Sequence, residues 1–98
     1  MNEIEKQFKE RAIIRGETLL FSKDNALSFV EACKKNGIGI LGIDSFFLFD
    51  DSIQPSMENS IDFSSLNYVI KSQDIYSEAK NFLSERNETM FFEIICSE

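Results

Sequence analysis

The chain reads as a small α+β domain, a mixed β-sheet packed against two to three helices. Three observations lead there. Apolar residues recur at helical spacing near the start, around residues 24–35 and around 74–86. Runs rich in Ile and Phe with the character of strands lie between and after them, at 38–49 and 89–96. The 98 residues are 43% apolar with ten Phe, which suits one modest core and one domain spanning 1–98.

Residues 3–14 place Ile4, Phe8 and Ala12 on one face, followed by Ile13 and Ile14, so a first helix is expected up to Gly16. Residues 17–21 fit either a short strand or the approach to the next helix. Ser22 or Asp24 can cap that second helix, because either side-chain oxygen can accept from the free amides of a first turn. Ala26, Leu27, Phe29, Val30 and Cys33 form its apolar face. Lys34 and Lys35 suit its negative end, and Asn36-Gly37 is a left-handed stop.

Residues 38–49 then form a strand. Ile38, Ile40, Phe46 and Leu48 fall on one face, and Leu41, Ile43, Phe47 and Phe49 on the other. Apolar character on both faces implies a central strand covered on both sides, with its Phe residues mostly in the core. Gly39 and Gly42 point to a bulge or a close backbone approach. Asp44 is out of place there: a charge in an apolar strand must be paired, hydrogen-bonded or at a mouth. Residues 50–60 read as a loop turned by Pro55. Residues 61–70 read as extended, with Leu66, Tyr68 and Ile70 alternating.

Asp74 is the expected cap of a third helix with the stripe Ile75, Tyr76, Ala79, Phe82 and Leu83, closed by Arg86-Asn87. A last strand covers 89–96, and the strand–helix–strand ending suits a right-handed parallel crossover.

Composition narrows the chemistry. There is no histidine, which removes His-based nucleophilic systems, His general bases and His-ligated metals together. Two cysteines, Cys33 and Cys96, cannot build a structural zinc site and read as reduced, buried thiols. Residues 37–42 match Gly-x-Gly-x-x-Gly, but a helix precedes them and a strand contains them, the reverse of the dinucleotide-binding context. No carboxylate constellation suggests catalysis, so the expectation is a protein that is not an enzyme and has no cofactor or metal. No apolar run reaches the ~20 residues of a membrane span, and the first residues lack the pattern of a signal peptide, so a cytoplasmic protein is expected.

The net charge of −7 is uneven: residues 1–35 carry +1, 36–70 carry −5 and 71–98 carry −3. Between Asn36 and Ile70 there is no lysine or arginine, but there are Asp44, Asp50, Asp51, Glu58 and Asp62. Phosphates would be repelled by this surface, which disfavours nucleic acid and favours a basic protein. The candidate binding set is those five acids with Phe49, an aromatic anchor if exposed.

The run 37–48, the segment 54–64, the helices around 26–33 and 76–83, and the closing Phe91-Phe92-Glu93-Ile94 together resemble a family of small immunity proteins. These come from bacterial polymorphic-toxin and contact-dependent growth inhibition systems. The resemblance covers roughly residues 24–96 and leaves the N-terminal helix, 1–16, outside. It implies a non-enzymatic α+β protein that binds the C-terminal domain of one cognate toxin in the cytoplasm and blocks it; many such toxins are nucleases. It transfers no binding residue. The alternative is a small acidic regulatory or self-associating module, a homo-oligomer without a toxin.

Overall fold

The computed structural model describes residues 2–50, 52–63 and 72–97. It is an α+β domain. In chain order the described elements are α1 (Glu3–Phe8), β1 (Ile13–Arg15), β2 (Thr18–Leu20), α2 (Lys23–Lys35), β3 (Ile40–Phe49), β4 (Ser52–Asp62), α3 (Ser72–Ser84) and β5 (Phe91–Cys96).

The first expected helix is cut short. Asn2 caps α1 through a capping box with Glu5, and after Phe8 the chain tightens into a 3-10 turn, Lys9–Arg11. The β-branched pair Ile13-Ile14 then enters a hairpin, with Ile13 opposite Leu20 and Arg15 opposite Thr18. Gly16 sits in its two-residue turn at φ 62°, a left-handed value that favours glycine. Of residues 17–21, Glu17 completes the turn and Thr18–Leu20 are strand. Phe21 extends β2 by exchanging backbone hydrogen bonds with Phe92 of β5, both 2.8 Å, which ties the hairpin to the main sheet.

Helix α2 is as expected: Ser22 is the cap, Ala26, Phe29, Val30 and Cys33 are buried, and Gly37 follows the end at φ 67°. Helix α3 begins at Ser72, so Asp74 lies inside it and is not its cap. Tyr76, Ala79 and Leu83 are buried as expected. Lys23 at the start of α2 donates to the carbonyls of Ser84 and Arg86 at 2.9 and 2.8 Å, satisfying orphan acceptors at and just past the end of α3. The Tyr76 hydroxyl donates to the Ile38 carbonyl at 2.7 Å and fixes the chain between α2 and β3. Thr89 belongs to a turn closed by the Asn87 side chain, and β5 starts only at Phe91.

The main sheet has the order β4-β3-β5, so β3 is central, as the sequence indicated. Neighbouring strands are antiparallel. β4 and β5 run parallel to each other, but β3 lies between them. Residues 52–60 are strand, not loop: Phe49 pairs with Ser52, and Asp50 in the turn adopts φ 39°. Pro55 sits opposite Phe46 on an edge strand, where a missing N–H is tolerated. The extended reading of 61–70 holds for Ile61 and Asp62, which end β4; Leu66, Tyr68 and Ile70 lie outside the described residues.

One core joins the helices to one face of this sheet. Phe8, Phe21 and Phe29 form its aromatic centre, with Phe21 and Phe29 stacked at 4.9 Å and Phe8 edge-on to both. Ile40, Ile43, Phe92 and Ile94 close it from the sheet. The described helices lie on this side alone, so β3 is not covered on both faces by them. The alternation also differs from expectation. Ile40 pairs with Cys96 and Gly42 with Ile95, which makes Leu41 an extra, bulged residue. The bulge puts Ile40 on the core face with Ile43 and Ser45, and sends Gly42, Asp44 and Phe46 to the open one.

Candidate functional site

The open face of the sheet is shaped by a second irregularity. Ser45 pairs with Ser56, but Ile43 pairs with Ile61, so residues 57–60 swell out of the ladder opposite Asp44. Four short polar contacts hold this swelling. The Ser45 amide donates to Ser60 Oγ at 3.0 Å, and the Ser45 hydroxyl donates to the Asn59 carbonyl. Ser60 Oγ donates to the Ser56 carbonyl at 2.8 Å, and Asn59 Nδ2 donates to Ser56 Oγ at 2.9 Å. Ser45 is fully buried, and these bonds explain why a hydroxyl sits there.

Beside the swelling lies a groove of about 430 Å3. Its walls are Leu41, Met57, Ile61 and Ile95, with Gly42 between them, and its polar atoms come from Asp44, Ser60 and Asp62. Gly42 is required by close approach: a Cβ there would lie 2.8 Å from the Ile61 carbonyl oxygen.

Asp44 is half-buried and faces Glu93 across β3 and β5. Burial, then Asp44, then Glu5 raise the Glu93 carboxyl above its ordinary value. β3, β4 and β5 contain no lysine or arginine to offset these charges. Three described cations are engaged elsewhere: Lys80 with Glu31 at 3.3 Å, Arg86 over the Phe82 ring, Arg11 over Phe8.

The candidate residues separate into two places. Asp44 and Asp62 meet at the groove, and Glu58 is exposed on the swelling beside Met57. Asp50 and Phe49 lie at the hairpin end, roughly 20 Å further along β3 at the usual rise of a strand. β3 runs past its last pair with β5, Phe46–Phe91, so its final residues project as an arm paired to β4. On that arm Phe47 and Phe49 stack at 6.2 Å and are 36% and 53% exposed. These rings are not core residues, and Phe46 is only half-buried. Asp51 lies outside the described residues.

Glu93 and Met57 join this face, and Ser45 braces it from the core side; none of the three is among the residues singled out from sequence. Glu93 had a signal: it interrupts an apolar strand as Asp44 does. Cys33 and Cys96 are free and adjacent beneath the sheet's other face, where their hydrogen bond and burial push the Cys33 thiol up. Among the described residues no group of three or more Cys, Asp or Glu is placed to hold a metal ion. No described helix is long and apolar enough to cross a membrane. Comparison with protein-family models finds no match for this chain, and comparison with curated proteins finds none either.

Proposed function

We propose that this protein is a non-enzymatic immunity protein that binds a basic toxin domain in the cytoplasm and blocks it. The observation that carries this reading is the exposed, stacked pair Phe47–Phe49 on a projecting arm that ends in Asp50. Exposed aromatics at the centre of a contact supply much of its residence time, and surrounding acids speed encounter with a basic partner and select it. A nuclease, whose substrate groove must be basic, is the toxin chemistry that complements such a surface. The resemblance noted from the sequence supports the same class.

The test is co-purification with the product of the adjacent upstream reading frame, followed by growth rescue. A one-to-one complex with rescue is expected. Charge reversal at Asp50, Asp51 and Glu58 together, and separately Phe47→Ala with Phe49→Ala, should weaken both. Full protection by both variants would remove this surface as the interface. A stable homodimer with no toxin partner in analytical ultracentrifugation would favour a self-associating module instead.

A further inference from the structure

The groove on the open face differs from the arm in both shape and chemistry. Its walls are apolar and include Met57, which is 83% exposed and whose flexible thioether adapts to what lies against it. Its charged atoms are all carboxylate oxygens. Asp44 and Glu93 are adjacent across the ladder, where Cα atoms stand ~4.5–5.5 Å apart. Like charges so placed repel. The three strands offer no cation of their own, and the swelling at 57–60, held by Ser45, keeps the space beside Asp44 open.

We propose that this groove receives one arginine side chain from the protein's partner, with the stem along Met57 and Leu41 and the guanidinium at Asp44, on the side where Glu93 faces it across the ladder. This deepens the docking reading above and rests on it for the source of the arginine. Charge complementarity selects a cation. The apolar walls select a long aliphatic stem, and a stem with a cationic head describes lysine and arginine. Two carboxylates on neighbouring strands then favour the planar fork of guanidinium, which can bond both at once, over the point charge of an ammonium.

The probe is a blocked Ala-Arg-Ala peptide titrated into isotope-labelled protein, with chemical shifts followed by NMR. Blocked Ala-Lys-Ala and the neutral citrulline peptide are the comparisons. Saturable shifts centred on Gly42, Ile61 and Ile95 are expected for arginine, with weaker ones for lysine. Citrulline should bind at least about tenfold more weakly, the scale set by a charge-assisted hydrogen bond. Asp44→Asn should weaken arginine binding, while Asp50→Asn on the arm should not. Equal binding of citrulline, or equal loss in the Asp44→Asn and Asp50→Asn variants, overturns the proposal. The toxin assay fails independently: arginine binding in the groove without a toxin complex removes the immunity reading and leaves the site.

Discussion

Asp44 of β3 and Glu93 of β5 stand opposite each other in register, two carboxylates on one sheet face with no cation in their strands. Burial and the neighbouring Asp44 and Glu5 raise the Glu93 carboxyl above its ordinary value. The folded protein therefore holds that proton at pH values where the unfolded chain has released it. Folded binds more protons than unfolded, so this group's contribution to stability falls as pH rises from the ordinary glutamate range through the raised value. Glu93→Gln should remove the slope and stabilise the protein at neutral pH by about 0.2–1 kcal/mol, the range for a cross-strand charge pair. Below the ordinary glutamate range the two proteins should be equally stable. Urea denaturation at several pH values measures this, and a less stable variant at neutral pH would show that Glu93 has a favourable partner.

Ser45 holds the swelling of β4. Ser45→Ala removes the donor to the Asn59 carbonyl and leaves that acceptor in a buried setting, a cost of about 1–3 kcal/mol. Amide exchange should quicken at residues 57–60 before it does in the helices. Protection unchanged at those residues would contradict the role given to Ser45.

Two glycines should respond differently to alanine. At Gly42 the new methyl meets the Ile61 backbone oxygen at 2.8 Å, which can yield only by moving β4. Gly42→Ala should destabilise by about 1–3 kcal/mol, as overpacking does. At Gly39 the obstacle at 2.8 Å is the Ser97 hydroxyl, the free end of an exposed side chain. Gly39→Ala should cost much less. Thermal melts of the pair settle the order, and equal losses would argue against the close approach at Gly42.

The phenylalanines divide into two groups by burial. Phe29 is fully buried between Phe8 and Phe21, so Phe29→Ala should cost about 3–5 kcal/mol. Phe49 is exposed on the arm, and Phe49→Ala should change stability by only about 0.5 kcal/mol while weakening partner binding. A large stability loss at Phe49 would place it in the fold instead.

The helical cores were legible in the sequence because a 3.6-residue period identifies a buried face locally. Ser22, Phe29, Cys33, Tyr76 and Leu83 lie where that period puts them. The first helix ends earlier than the sequence pattern indicates because Ala12, Ile13 and Ile14 continue the apolar pattern past Phe8, and only the pairing with β2 makes Ile13 and Ile14 strand. The loop expected over 50–60 follows from its Pro, Ser and Asp content. Residues of that kind still form an edge strand when a central strand supplies the hydrogen bonds.

The sequence by itself determined the α+β class, the helical cores, the central place of β3, and the separation of charge that leaves 36–70 without a cation. These depend on composition and short-range period. The tertiary structure alone decided which acids share a place. A bulged residue at Leu41 and four swollen residues opposite Asp44 shift register, and one step of register moves a side chain to the other face of a sheet. That is why Asp44 faces Glu93 across the ladder and meets Asp62 at the groove while Asp50 and Phe49 stand apart at the arm. No local pattern in the chain encodes the partner strand that makes the difference.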